Sequence, residues 1–250
     1  MNSYEARLSK AAAWSCVGYI VIFVIGWGIL GRNIPPYPAS LSADEIARIY
    51  REHSTAFRIG FASTTAGCAL YASWSVGLFR VLRAIDPSRS LIPAYLQLIG
   101  GALTVVPPML ADVVWLTAAF RPETDPAITR TLVDLGWMVF DITWSVTLLQ
   151  YVGFLLAVFL DRRSKPLYPR WLGWLGVWFG CEFALMIIMP FFRSGPFGWG
   201  GIFNYWIPYL GPFVWMILVV VYTLKATDRL AAEYTEQHGP MPQTSDAALM

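Results

Sequence analysis

Charged residues are scarce in this sequence of 250 residues. They make up only 14% of the chain, whereas soluble proteins contain about 25%. Hydrophobic residues reach 56%, and this balance indicates an integral membrane protein. The net charge is only +2, and the basic residues are scattered over the loops, so we expect no nucleic-acid partner.

Histidine is scarce, and the apolar runs contain no lysine. Nucleotide-binding motifs are also absent from the sequence. The two histidines, His53 and His238, lie outside the apolar runs, which argues against bis-histidine haem, di-iron histidine boxes and histidine-dependent intramembrane proteases. No lysine lies within an apolar run, which argues against a retinal Schiff base. There is no P-loop, no G-x-G-x-x-G and no close aspartate cluster that would bind a diphosphate through magnesium.

Cysteine is rare and shows no metal-binding spacing. Cys16, Cys68 and Cys181 all fall within apolar runs, without a C-x-x-C pair. We therefore interpret them as small buried apolar residues. Together with the scarcity of histidine, this predicts that the protein has no metal site and no cofactor.

Six apolar runs are long enough to cross a bilayer, which takes about 20 helical residues. Because backbone groups in lipid must be satisfied internally, we expect helices rather than strands. The predicted fold is an all-α, polytopic membrane protein with six transmembrane helices in one bundle, formed by residues 14–31, 57–79, 91–119, 132–160, 171–192 and 202–222.

Two segments outside the runs have a distinct character. Ser42 and Glu45 form a capping box, which predicts a short amphipathic helix over about residues 42–54 in the first outer loop, lying at the membrane interface or packed as a connector. We expect a single domain over residues 1–225. Residues 226–250 are predicted to be a polar cytoplasmic tail, disordered after Gly239.

The distribution of basic residues predicts the orientation. Lys and Arg are more frequent on the side that carries both termini, including Arg89 in the loop between the second and third runs, so both termini are expected in the cytoplasm. The segment PRWLGWLG, residues 169–176, resembles uncharacterised bacterial multi-span proteins. We therefore expect the inner or plasma membrane of a bacterial-type cell.

Acidic residues lie within three successive runs. Asp112, Asp141 and Glu182 fall at about the same depth, and each has a tryptophan three or four residues away, as does Asp134 near the end of its run. An acid at membrane depth costs at least about 2.5 kcal/mol on insertion scales, so it is a functional candidate by default. We predict Asp112, Asp141 and Glu182 as catalytic, the alternative being that they hold the bundle together through hydrogen bonds, and Asp134 as structural or solvated.

The neighbouring aromatic residues are the predicted ligand-binding groups. An indole on the same helix face can donate its N–H to a carboxylate or shield it. Pro107 and Pro108 predict a break in the third run, and Gln97 extends the polar residues towards the cytoplasm. The predicted substrate-binding residues are Trp115, Trp137, Trp144, Trp178, Asn204, Tyr205 and Tyr209.

Acids within aromatic walls suit one chemistry in particular. Carboxyl groups in apolar surroundings stay protonated, and aromatic faces stabilise cations. This general design resembles that of membrane-embedded terpene cyclases. The predicted function is binding or acid-catalysed conversion of a small hydrophobic molecule, such as an isoprenoid or sterol-like lipid. The alternatives are a proton-coupled transporter, for which a homodimer would supply the symmetry, and a non-catalytic membrane partner or assembly protein.

Overall fold

The computed structural model describes residues 1–85 and 90–239, and every regular element in these residues is helical. Arg89 and the chain after Gly239, for which an inner loop and disorder were predicted, lie outside the described residues. The α-helices are α1 (Ser3–Phe23), α2 (Ala43–Leu82), α3 (Ile92–Thr104), α4 (Val106–Phe120), α5 (Pro126–Ile142), α6 (Ser145–Leu160), α7 (Arg170–Leu185) and α8 (Ile207–His238).

Five helical segments of the described chain are long and apolar enough to cross a membrane. They are Ser3–Leu30, Ile92–Phe120, Pro126–Leu160, Arg170–Phe191 and Ile202–His238. The remaining predicted run, residues 57–79, lies within α2 and is not among the five. It carries Arg58 and five Ser or Thr residues, which lower its hydropathy. The all-helical, membrane-like fold is confirmed, and the sixth crossing stays a prediction.

The amphipathic segment after Ser42 is helical, and a kink separates it from the rest of α2. Its capping box is present: the Glu45 N–H donates to Ser42 Oγ at 3.3 Å, and Glu45 Oε2 accepts from the Ser42 N–H at 2.8 Å. The segment forms the first turns of α2, which bends at His53 (φ −118°, ψ 15°). Ile46 and Tyr50 are fully buried, so this part packs on the bundle as a connector.

The last helix extends beyond the predicted end of the domain. α8 continues from residue 225 to His238. An ion pair between Lys10 and Asp228 ties it to α1, and the terminal amino group of Met1 lies 3.4 Å from the Leu230 carbonyl. Residues 226–238 are therefore a structured part of α8.

Each of the five long segments is interrupted, and the interruptions position the candidate site. Pro107 and Pro108 occupy the first turn of α4, which confirms the predicted break in the third run. Proline lacks a backbone N–H and cannot continue a helix without a lost hydrogen bond. The interruptions are a π-helical end of α1 (Val24–Leu30), Val105, Thr143–Trp144, a 3-10 turn (Met186–Phe191) and a π-helical turn before α8 (Ile202–Trp206).

Candidate functional site

A cavity of about 100 Å³ lies where several of these interruptions meet. Aromatic and proline side chains form most of its wall. Trp144 comes from the break between α5 and α6, and Phe183 comes from the end of α7. Prolines of two interrupted segments also face it, namely Pro107, Pro108, Pro208 and Pro212. The cavity is therefore a consequence of the broken helices.

Asp141 is connected to this cavity through Tyr209. Asp141 lies in the last turn of α5 and is completely buried. Tyr209 lines the cavity wall, and its hydroxyl donates to Asp141 Oδ1 at 2.6 Å, while Asn204 Nδ2 donates to Asp141 Oδ2 at 2.9 Å. The structure thus brings three of the predicted site residues together, with the carboxyl group behind the wall rather than in it.

The π-helical turn Ile202–Trp206 makes this arrangement possible. Pro208 and Pro212 cannot donate backbone hydrogen bonds, so the chain widens into a π turn before α8 begins. The turn carries Asn204, and the first turn of α8 carries Tyr209, so both side chains reach the same carboxyl group. π-Helical turns occur frequently at functional sites.

Trp27 forms the centre of an aromatic stack behind Tyr209. It lies in the π-helical end of α1 and is 1% exposed. Its ring centroid is 5.5 Å from that of Tyr209, at an interplanar angle of 15°, and 5.3 Å from that of Phe140, at 13°. Phe140 and Tyr209 also stack on each other at 5.5 Å. These parallel rings fix the orientation of the phenol that contacts Asp141.

The loops after α1 and after α7 cover the site. Tyr205 donates its hydroxyl hydrogen bond to the Asn33 carbonyl oxygen. Trp199 donates its indole N–H to the Tyr37 carbonyl oxygen at 2.9 Å, and its ring stacks on Trp137 at 5.5 Å. Tyr205, Trp137 and Trp199 are all buried, so they act here as a cover that joins the loop after α1 to the loop after α7.

Asp112 occupies a separate position. It is completely buried on α4; its Oδ2 accepts from Thr65 at 3.3 Å, and its Oδ1 has no hydrogen-bond partner among the described residues. Its predicted neighbour, Trp115, donates to the Val133 carbonyl at 3.2 Å instead. The Trp115 indole therefore does not donate to Asp112, because the backbone of α5 competes for the N–H; the alternative, that the indole shields the carboxylate, stays a prediction.

Glu182 and Trp178 are not brought to the cavity. Glu182 is half-buried, with no hydrogen bond or ion pair to any part of the chain that the structure describes. Trp178 is 56% exposed on the surface of the bundle. Cys181, for which burial was predicted, is also exposed. Asp134, expected to be structural or solvated, lies 3.9 Å from Arg130 in a partly exposed ion pair.

Trp144 lines the cavity, yet its indole makes no hydrogen bond with Asp141 or with any other residue of the described ranges. Trp27 and Phe140 were missed from the sequence. The pattern considered there was a tryptophan near an acid on the same helix, whereas both rings reach Tyr209 across helix boundaries. The sequence signal available for Trp27 is its position between two glycines, Gly26 and Gly28, which allow close approach of neighbouring groups.

The donor set does not form a metal site. Among residues 1–85 and 90–239, no group of three His, Cys, Asp or Glu side chains is close enough to hold a metal ion.

Comparison with curated proteins and with solved structures gives no significant match. Residues 11–224, well over half of the chain, match the profile of one membrane-like family. The chain belongs to the family described as Domain of unknown function (DUF4386).

Proposed function

We propose that the protein binds the unsaturated or branched end of a membrane lipid in the cavity and presents the Tyr209–Asp141 pair to it as a proton donor. One observation carries this proposal: Tyr209 lines an aromatic cavity, and its hydroxyl forms a 2.6 Å hydrogen bond with a buried carboxyl group. Asn204 holds the other carboxyl oxygen. Membrane lipid supplies both the ligand and the route of entry.

The size of the cavity limits the ligand. At about 100 Å³ it falls well below the roughly 300–1,000 Å³ of pockets that enclose a drug-sized molecule. An engineered apolar cavity of about 150 Å³ binds benzene. The volume supports occupancy by one isoprene-sized group, with the rest of the lipid outside, and argues against enclosure of a sterol ring system.

The proposed chemistry is migration of a carbon–carbon double bond. With Asp141 protonated, its O–H donates to the Tyr209 oxygen, and the Tyr209 O–H points to the bound alkene. The π electrons take the Tyr209 proton to form a C–H bond, and Tyr209 recovers a proton from Asp141. Loss of a proton from the adjacent carbon back through Tyr209 to Asp141 forms the shifted double bond, so no co-reactant is consumed.

The aromatic wall supports the cationic intermediate of this scheme. A cation over an aromatic face is stabilised by about 0.5–2 kcal/mol. Phe140, Trp144 and Phe213 line the cavity together with Tyr209. Asp112 is a predicted second acid that lies apart from this wall. Glu182 has no contact that supports a catalytic role.

The proposal includes a topology. α2 would make the sixth crossing through residues 57–79, with both termini in the cytoplasm of a bacterial-type cell. The cover formed by Trp199 and Tyr205 would then face outwards, which supports entry of the ligand sideways from the lipid rather than from the outer aqueous phase.

Solvent deuterium tests this proposal. Wild-type protein in nanodiscs should retain a specific branched or unsaturated lipid, and incubation in D2O should place deuterium on its carbon atoms. Asp141→Asn and Tyr209→Phe should retain the lipid without deuterium. Tyr168→Phe is the matched control, since Tyr168 is fully buried and its hydroxyl lies 2.9 Å from that of Thr223, away from the cavity.

Two outcomes would refute the proposed chemistry and the proposed specific binding separately. Retained lipid without deuterium in wild type would refute the chemistry and leave a binding protein. The same lipid profile in an unrelated membrane protein purified in parallel would refute specific binding.

Proton-coupled transport is the second candidate, favoured by the interruption of all five long segments. Broken helices line the substrate sites of many transporters. In proteoliposomes with a pH-sensitive dye inside, a transporter would move protons when a cargo gradient is imposed, and Asp141→Asn would abolish that flux. Absence of flux together with deuterium incorporation would favour the enzyme.

A further inference from the structure

A second polar cluster is buried between α2, α3 and α6. It consists of Ser75, Gln97 and Gln150, which are 0%, 0% and 1% exposed, and we call it the glutamine cluster. Four of its side-chain atoms have no hydrogen-bond partner in the described chain: Ser75 Oγ, Gln97 Oε1, Gln97 Nε2 and Gln150 Nε2. Only Gln150 Oε1 is satisfied, by the Tyr71 hydroxyl at 2.6 Å.

Glycines allow the three helices to come this close. A methyl group added at Gly101 on α3 would overlap Ser75 Oγ and lie 3.2 Å from Gln150 Nε2. One added at Gly153 on α6 would lie 2.9 Å from the Gln97 Cα atom. Ser75 and the Gln150 amide therefore converge at Gly101, and Gln97 lies one turn earlier on the same helix.

Unpaired polar groups at this depth require a partner. A buried donor or acceptor without a hydrogen bond costs about 1–3 kcal/mol, and lipid offers no substitute for water. The cluster offers donors and acceptors in similar number and contains no charged side chain, which suits water rather than an ion. A buried water needs about two to four polar partners, and the unpaired atoms of Ser75, Gln97 and Gln150 are the candidates for that role.

Tyr71 connects this cluster to the cavity. Its side chain lines the cavity wall, and its hydroxyl donates to Gln150. Gln97 lies five residues after Ile92, the first residue of α3, or about 8 Å along the helix axis. Polar groups thus extend from the cavity to within about one and a half turns of the first residue of α3.

We propose that the glutamine cluster holds buried water molecules, and that these waters carry solvent protons between the start of α3 and the cavity. A proton enters as hydronium, each water passes one proton onward and receives another, and the glutamine amides orient the waters without exchanging protons with them. Hydration of the cluster stands independently of the proposed function, whereas the use of its protons rests on it.

Radiolytic footprinting of the full chain in nanodiscs tests the hydration. Hydroxyl radicals formed from bound water oxidise the side chains beside it. Trp74 is 0% exposed with an unpaired indole N–H among the described residues, and its ring lies 5.1 Å from that of Tyr71, which donates to Gln150. Trp115 is the matched control, since it is also 0% exposed but its N–H is bonded to the Val133 carbonyl. Oxidation of Trp74 should exceed that of Trp115 several-fold.

Gln97→Met supplies the second measurement. If the cluster holds water, the variant removes partners from that water, so it should lower both Trp74 oxidation and the thermal unfolding midpoint. If the cluster is dry, the variant removes two unsatisfied groups and should raise the midpoint. Equal oxidation of Trp74 and Trp115 in wild type would overturn the proposal, and so would a raised midpoint in the variant.

Deuterium incorporation tests the proposed proton route. Gln97→Met should slow deuterium incorporation into the retained lipid without releasing that lipid. Unchanged incorporation would overturn the proton route. Because footprinting requires neither a retained ligand nor its conversion, a failure of the proposed function and a failure of the hydration are distinguishable.

Discussion

The energy that couples Tyr209 to Asp141 can be predicted from their contact. A double-mutant cycle with Tyr209→Phe and Asp141→Leu isolates it, because Asn204 is left unpaired in both variants that lack Asp141 and that penalty cancels. A hydrogen bond to a charged group contributes about 1.5–3 kcal/mol and one between neutral groups about 0.5–1.5 kcal/mol. For the 2.6 Å contact we expect a coupling energy of about 1–3 kcal/mol.

The cysteines of the chain provide the assay. Cys16 is 0% exposed and Cys68 is 1% exposed, whereas Cys181 lies on the surface. In a Cys181→Ser background, a thiol-reactive fluorogenic dye therefore reports global unfolding during a titration with SDS in mixed micelles. The free energies of unfolding of the four proteins give the coupling energy directly.

The measured value also decides the ionisation of the buried carboxyl. A coupling energy near the upper end of the range would indicate an ionised Asp141, and a value near 1 kcal/mol a neutral one, as the double-bond migration requires. Interhelical hydrogen bonds in another membrane protein average about 0.6 kcal/mol. A coupling energy at or below that average would refute the claim that Tyr209 and Asp141 act as a unit.

The remaining predictions concern the wall, the topology and the helix cap. Trp144→Leu should reduce deuterium incorporation more than Trp144→Phe, while Trp178→Leu should match wild type; equal activity of all variants would exclude a cation-stabilising wall. An impermeant thiol reagent on intact cells should label Ser42→Cys and not Ser164→Cys, and the reverse pattern would invert the topology. Ser42→Ala should lower the free energy of unfolding by about 1 kcal/mol. Because hydrogen bonds from Ser42 lower the pKa of Glu45, the stabilising effect of this carboxylate should persist at neutral pH and disappear as the pH falls below about 4.3; a stability profile of wild type that matches that of Glu45→Gln would refute this.

Local features of the sequence predicted local features of the structure. Hydropathy located the five apolar helical segments, and the spacing of Ser42 and Glu45 located the start of α2. Pro107 and Pro108 located a helix break. Each of these depends on residues within a few positions of one another, so no tertiary information is needed.

The site depends on contacts that cross between helices, and these were only partly predictable. The cost of a buried acid correctly drew attention to Asp141, Asn204 and Tyr209, although not to their mutual hydrogen bonds. A spacing of three or four residues places an indole on the same helix face as an acid. The Trp115 indole nevertheless donates its hydrogen bond to a backbone carbonyl of α5. Trp178 has the same spacing from Glu182 and faces outwards, because helical spacing defines a face but not its neighbour.

α8 joins the two ends of the molecule in a single rod. Tyr209 is in its first turn and Asp228 lies 19 residues later, about 28 Å along the axis. The first turn of α8 contacts Asp141, and its far end is held to Lys10 by an ion pair. A ligand that shifts the first turn of α8 would either bend the helix at Pro212 or move the Lys10 contact, and only the second response would transmit occupancy of the cavity to the opposite end of the helix.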